Sequence, residues 1–324
     1  MTGDSVKNKL DSLFFTRLFV PQAAQSSFYR RAESEIRLAF LAINRFGMGD
    51  SMKVDYSDRH TFVICAYKES PYLEECINSL KEQSVKSTII MVTSTPCSYI
   101  SDIAHKHGIE LYVNTGEKGI SADWNFGISM ANTQYVTVAH QDDTYRRNYT
   151  AECMHAMEYD RNPLIFFSNY GELRNGHVCE KNKLLSVKRL MLWPLGIGGR
   201  DRKLFSHSIF VRRRILSMGN PICCPSVTFN MKRMPEQIFK IGMKSNVDWE
   251  AWEALSRLKG GFLYNKNMLC FHRIHEASTT SELIADNGRT AEDYQMFCKF
   301  WPKWIARILI HWYTDSQKSN SLST

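Results

Sequence analysis

The chain has 324 residues, 44% hydrophobic, 12% aromatic and 23% charged, enough to bury a full core as one large domain with attachments and too apolar for wholesale disorder. Its formal charge of +8 favours anionic partners such as nucleotide diphosphates or acidic lipid surfaces. The Lys and Arg residues are dispersed and no DNA- or RNA-binding motif appears, which excludes nucleic acid as a partner.

Nine scattered cysteines without a C-x-x-C pair suit reduced thiols in a cytoplasmic protein better than a disulfide framework. No apolar run reaches the roughly 18 residues of a membrane-spanning helix. Arg17 breaks the stretch "LDSLFFTRLFVPQAA" as a signal sequence.

Residues 1–57 read as a helical N-terminal extension, with Phe28, Ile36, Phe40, Ile43 and Phe46 at helical spacing before Gly47 and Gly49. "TFVICAY" (61–67) then reads as a buried parallel strand. The helix after it takes Ser70 as N-cap and Pro71 as first residue, with Leu73, Ile77 and Leu80 on one face. Strand "TIIMV" (88–92), a helix ending at Gly108, strand "IELYV" (109–113) and a helix around "ISADWNFGISMAN" follow. Strand "YVTVAH" (135–140) is next, then helix "NYTAECMHAMEYD" and strand "LIFFSNY". The alternation implies an α/β sheet with right-handed crossovers, whose ligands bind beyond the carboxyl ends of the strands. Residues 171–230 look less regular and contain "GIGGRDRK", a loop that either orders over a ligand or stays flexible. The segment 282–324 reads as an amphipathic helical tail in which Trp301, Trp304, Ile305, Ile308, Leu309 and Trp312 mix with Lys299, Lys303 and Arg307. Such a helix either lies on a membrane surface or covers the core.

"AHQDDTY" (139–145) carries the chemistry. His140, Asp142 and Asp143 at a strand's carboxyl end offer ligands for Mg²⁺ or Mn²⁺, although Asp-Asp-Thr is also an ordinary turn sequence.

Four blocks resemble the family 2 glycosyltransferases, which have the GT-A fold and invert configuration at the transferred sugar. They are "TFVICAYKESPYLEECINSLKEQS", "GISADWNFGISMANTQYVTVAHQDDTY", "SNVDWEAWEAL" and "FHRIHEASTT", in the family's order over roughly residues 60–281. The resemblance implies a Rossmann-like mixed, mainly parallel sheet flanked by helices, over residues 58–281. Residues 58–145 would bind the nucleotide sugar and 146–281 the acceptor.

Carried over by position, Ala66, Tyr67 and Glu69 would line the nucleoside. Asp142 matches the last, metal-binding Asp of the D-x-D motif. His140 stands in place of its first Asp, as a ligand or as a contact to the donor, and Gln141 lies between them. Asp143 would support the ligands from outside. Thr93 and Ser94 stand where the family has a base-reading Asp, and their hydroxyls can still bond a nucleobase. Trp124 replaces the usual Arg and reads as a core residue, while Asn125 and Gly127 are retained. Asp248 would be the general base, with Glu250 as the fallback and Trp249 and Trp252 stacking on a sugar or packing. Arg273 would contact phosphate and His275 would reach the metal, whereas His272 reads as structural.

The implied reaction is metal-dependent transfer from a nucleotide-sugar donor to a glycan or lipid-linked acceptor, in cell-surface polysaccharide biosynthesis. The tail would allow peripheral contact with the inner membrane face. Two other readings are a non-catalytic glycan- or lipid-binding module on the same fold and a sugar nucleotidyltransferase. The latter needs a Gly-rich phosphate loop after the first strand, where this chain has "AYKESPYLEE".

Overall fold

The structure, a computed structural model, describes residues 55–174, 176–275 and 288–321. The expected N-terminal extension up to residue 54 and the "EASTT" end of the last block lie outside the described residues.

Four strands open the fold: β1 (His60–Cys65), β2 (Thr88–Thr93), β3 (Glu110–Val113) and β4 (Tyr135–His140). They lie parallel in the order β3-β2-β1-β4. Helices α1 (Leu73–Lys81), α2 (Ser98–His107) and α3 (Ile120–Met130) make the crossovers. Successive side chains of β1 point to opposite faces: Phe62 and Ile64 join one core cluster and Val63 the other. Both faces are covered, so the strand is a continuous apolar run. Helix α3 lies close against the sheet at Gly127, where a Cβ would come within 2.5 Å of Val63 Cγ1. As expected, α2 stops at Gly108, whose φ of 60° is left-handed.

The start of α1 differs from expectation. Ser70 is not its N-cap; its hydroxyl accepts from the Tyr72 N–H at 3.4 Å. That bond closes a turn containing Pro71, and the helix begins at Leu73 with Tyr72 as an N-cap lacking a side-chain bond.

The second half adds β5 (Thr144–Tyr145), α4 (Tyr149–Tyr159), β6 (Pro163–Arg174), β7 (His177–Cys179), α5 (Lys183–Leu192) and α6 (Ile209–Leu216). It ends with β8 (Val227–Asn230), α7 (Val247–Leu255), β9 (Gly261–Ile274), α8 (Gly288–Cys298) and α9 (Lys303–Ser321). Strand β8 inserts antiparallel between β4 and β6, β9 pairs parallel with β6, and β5 pairs antiparallel with β9. The result is one mixed, mainly parallel nine-stranded sheet.

Residues 171–230 are thus more regular than their sequence suggests. Helix α5 leaves Leu184, Val187 and Leu190 exposed, which removes the one-sided apolar period that identifies a helix. The "GIGGRDRK" loop neither covers the site nor hangs free. Arg200 binds Glu152 at 2.9 Å and Asp201 binds His155 at 2.6 Å, pinning it to α4.

The tail uses one face to cover the core. Ala306 is buried, and Trp301, Leu309, Ile310 and Tyr313 pack on the cluster around Trp249 and Phe297. The indole of Trp301 donates to the Ser217 carbonyl at 2.8 Å. Trp304 and Ile308 face outward; the Trp312 side chain lies outside what is described.

Candidate functional site

The turn between β4 and β5 is placed by register. Cys65 at the end of β1 pairs with His140 at the end of β4, and Thr144 of β5 pairs with Phe271 of β9. Residues 141–143 therefore meet the loop after β1 on one side and the end of β9 on the other. On the β1 side, the Gln141 amide both accepts from the Tyr67 N–H (3.0 Å) and donates to the Tyr67 carbonyl (2.9 Å).

On the β9 side, Asp143 is fully buried and accepts from the Arg273 N–H at 2.8 Å and from His272 Nδ1 at 3.0 Å. The Asp142 carboxylate meets His275 Nε2 at 3.0 Å. Arg273 Nε donates to the Asp142 carbonyl at 2.8 Å. Its Nη2 pairs with Glu75 at 2.5 Å, and the guanidinium lies 4.2 Å from the Tyr72 ring centroid.

Charge sorts these groups into two sets. Burial pulls the His272 pKa down, but the Asp143 carboxylate outweighs it and lifts it to about 9. Burial pushes Asp143 up, and the His272 charge together with hydrogen bonds holds it below its ordinary value. The two form an ion pair whose atoms are committed to each other. Burial lowers the pKa of His140, against the pull of Asp143 and Asp142, and keeps its ring neutral. That ring stacks on Trp124, 5.0 Å away and tilted 19°. Its Nε2 is buried without a hydrogen-bond partner.

These residues fit a divalent cation. His140, Asp142 and Asp143 each offer a donor atom, all within 4.8 Å of one another. The 3.0 Å between Asp142 Oδ2 and His275 Nε2 is about the edge of an octahedron with bonds of about 2.1 Å. Imidazole with carboxylate is a donor set that Mn²⁺ accepts. Asp143 is the least available member, its oxygens being held by His272 and Arg273.

A second carboxylate, Asp248, stands in the first turn of α7, behind its N-cap Asn246. Asn220 Nδ2 donates to its Oδ2 at 2.7 Å, and the Trp249 N–H to its Oδ1 at 2.8 Å. Burial raises its pKa above the ordinary carboxylate value, while those bonds and the charges of Lys188 and His140 work against the rise. Glu250 is bound to Lys299 at 2.5 Å, which ties it to α8. Trp249 and Trp252 are fully buried; they pack, and neither offers a face to a sugar.

At the ends of β2 and β3, Ser94 donates to Asp123 Oδ2 at 2.6 Å and Asn114 to its Oδ1 at 2.8 Å. Thr93 is buried and accepts from the Thr95 N–H at 3.0 Å. Ala66 is buried, its N–H held by the Val92 carbonyl, while Tyr67 and Glu69 are exposed. Between them Lys68 adopts a left-handed φ of 53°, uncommon for a residue with a side chain. Both ends of the Asn125 amide are engaged by the Phe239 backbone.

Sequence reasoning missed Asp123, Asn114, Glu75, Asn220 and Lys188, and assigned His272 a structural part away from the motif. An acidic residue in a first helical turn, as at Asp123 and Glu75, reads as dipole compensation. Only the fold shows what each faces. For His272 a signal was present: it and Arg273 lie within three residues of the candidate ligand His275.

Residues 61–239 match the profile of glycosyl transferase family 2. An uncharacterized glycosyltransferase of Rickettsia typhi is 22% identical over 233 residues, 71% of this chain and 68% of that protein. Among solved structures, S. aureus TarS 1–349 in complex with UDP-GlcNAc superposes with a TM-score of 0.55 at 11% identity, covering 78% of this chain and 70% of that one. The mannosyltransferase PcManGT from Pyrobaculum calidifontis, in complex with GDP-Man and Mn²⁺, gives 0.54 at 13% identity, over 89% and 78%. The likeness to these two structures is one of fold, the GT-A fold.

Proposed function

This chain belongs to glycosyl transferase family 2 and is a glycosyltransferase, and from that premise we propose that it is an inverting, metal-dependent enzyme acting on a nucleotide-sugar donor. The acceptor is a hydroxyl of a glycan or a lipid-linked sugar, in the building of a cell-surface glycan. The observation that carries the reading is the pair Asp142–His275 at 3.0 Å, set with His140 at the carboxyl ends of β4 and β9.

In this reading Asp142 and His275 would hold Mn²⁺ or Mg²⁺, with the neutral His140 ring, whose Nδ1 lies 3.5 Å from Asp143 Oδ2, as a third donor. The cation supplies charge neutralisation for the departing nucleoside diphosphate. Asp143 does not touch it; with His272 and the Arg273 N–H it fixes the turn that aims Asp142. Gln141 ties the same turn to the loop after β1, where Tyr67 and Glu69 line the donor's nucleoside. The Asp123 carboxylate, held by Ser94 and Asn114, offers the base a hydrogen-bond acceptor, and Arg273 holds the Asp142 backbone.

Asp248 accepts the proton of the acceptor hydroxyl as that oxygen attacks the anomeric carbon. The bond from that carbon to the diphosphate oxygen breaks on the opposite face, and the electron pair leaves with the diphosphate. Burial makes Asp248 a stronger base than an exposed aspartate. Lys188, bonded to the Tyr170 hydroxyl at 2.9 Å, helps keep it ionised.

A panel of nucleotide sugars incubated with the protein, with and without Mn²⁺ or Mg²⁺, tests this through nucleotide release. One donor is expected to be turned over only with the ion, and Asp142→Ala should reduce that turnover about 10²-fold or more. Full activity in Asp142→Ala, or equal activity in chelator, would overturn the metal assignment.

A further inference from the structure

Three helices on the acceptor side leave large apolar side chains in solvent. On α6, Phe210 (72% exposed) and Arg214, with Met218 (62%) just beyond the helix, stand four residues apart and so share one face. On α9, Trp304 (65%) and Ile308 (52%) are again four apart, flanked by Lys303 and Arg307. Arg214 joins the two, its guanidinium 5.7 Å from the Phe210 ring centroid and 4.8 Å from that of Trp301. On α5 and the turn after it, Leu184, Val187, Leu190 and Trp193 recur every third residue and are all exposed. The elements meet at Gly219, where a Cβ would touch Tyr313 of α9 at 3.2 Å and Met191 of α5 at 3.9 Å.

The charge of this surface is one-sided. The sequences of α5, of α6 and of residues 299–313 contain nine Lys and Arg and not one Asp or Glu. Arg213 and Lys299 are used inward on Glu253 and Glu250, and Arg212 is buried on backbone carbonyls. Arg214, Lys303 and Arg307 have no carboxylate partner among the described residues. Aromatic and aliphatic side chains interleaved with unpaired cations match the interface of an anionic bilayer, where rings sit at headgroup depth and cations meet lipid phosphates. The other candidate occupants carry the wrong charge. Residues 1–54 hold eight Lys and Arg against five Asp and Glu, and a second copy would set this basic face against itself.

We propose that the face formed by α5, α6 and α9 docks on an anionic phospholipid surface and that the acceptor is presented from that surface. The second half rests on the glycosyltransferase reading above. Helix α5 connects the two: its exposed line belongs to the docking face, while Lys188 on its other side bonds Tyr170 and acts on the charge of Asp248. An acceptor sugar carried on a membrane lipid would reach Asp248 past α5 without leaving the bilayer.

Co-flotation of the full chain tests the docking without donor or metal, so its outcome is independent of any transferase assay. Vesicles of phosphatidylcholine mixed with phosphatidylglycerol should bind the protein, vesicles of phosphatidylcholine alone should not, and salt should weaken the binding. Lys303→Gln and Arg307→Gln should each weaken it about fivefold, the equivalent of about 1 kcal/mol per cation at an anionic surface. Trp304→Glu and Leu190→Glu, at exposed positions, should abolish it while leaving nucleotide release unchanged. Hydrogen exchange with the anionic vesicles should slow in residues 184–193, 209–218 and 303–311. Equal affinity for neutral vesicles, no binding to anionic ones, or protection confined to residues 1–54 would overturn the proposal. So would self-association in solution that the Glu variants remove.

Discussion

Asp248 concentrates the chemistry of the proposed reaction in one carboxyl group. Its position is a compromise between two demands. An anion at α7's first turn is favoured by the helix dipole and held by Asn220 and the Trp249 N–H, whereas burial penalises the charge and raises its pKa. A base needs both, since it must be ionised before it accepts a proton and basic enough to take one. The sign follows from the direction of the shift. Asp248 works as the carboxylate, so kcat/KM should fall as pH drops through its pKa, and burial sets that limb above the ordinary aspartate value of 3.8. Asp248→Asn should cost 10²- to 10⁴-fold in turnover, an order-of-magnitude range for a lost general base, and should erase the acidic limb. Binding of a nucleoside diphosphate with Mn²⁺, measured by calorimetry, should stay unchanged. If donor binding were lost and turnover per bound donor kept, Asp248 would be a donor contact and another group the base.

Helix α7 carries that aspartate, and ion pairs to a buried carboxylate help set where the helix lies. Glu253, almost fully buried, binds Arg213 of α6 at 2.6 Å and Arg257 one turn on at 2.7 Å, with Lys299, just after α8, at 3.8 Å. Burial pushes its pKa up, but the two Arg hydrogen bonds outweigh that and hold it below its ordinary 4.5. A carboxylate whose folded pKa is depressed adds stability above the unfolded value and loses it as pH falls through the folded one. Glu253→Gln should therefore lower stability at pH 7 by about 1–2 kcal/mol, since it removes the carboxylate from two partly exposed arginines. In urea titrations the gap to the parent should close as pH falls below the ordinary glutamate value of 4.5 and through the lower folded pKa. A gap that did not vary with pH would assign the loss to packing. At this scale the sequence was most informative where one physical rule acts alone. Strands β1, β2 and β4 and the stop at Gly108 were read from apolar runs and from glycine. Helices α5 and α6 were not, because their exposed Leu190, Trp193 and Phe210 blur the pattern that marks a half-buried helix. Ser70 was misassigned because a serine before a proline closes a turn as readily as it caps a helix.

Across the whole molecule the site is assembled from segments far apart in the chain: the loop after β1, the β4–β5 turn, the first turn of α7 and the end of β9. Asp142 and His275 were each legible as members of blocks. Their contact across 133 positions was not, since it depends on β5 pairing with β9. The same pairing sets His272 on Asp143, and no local pattern around either residue predicts it. A ligand bridging these segments should stabilise the folded chain as a unit, because binding restricted to the native state adds RT ln(1 + [L]/Kd). At a nucleoside diphosphate concentration of about 100 Kd this is about 2.7 kcal/mol, and at roughly 2–4 °C per kcal/mol Tm should rise by about 5–10 °C. The full shift is expected only with Mn²⁺ and the diphosphate together, since the cation side is formed by Asp142 and His275 and the nucleoside side by the ends of β1 and β2. Asp142→Ala should remove the part of the shift that depends on Mn²⁺ and leave the metal-free Tm nearly unchanged, because this carboxylate is not deeply buried and Arg273 holds the residue through its backbone carbonyl. A metal-dependent shift that survived in Asp142→Ala would place the cation on other residues, whatever the turnover assays gave.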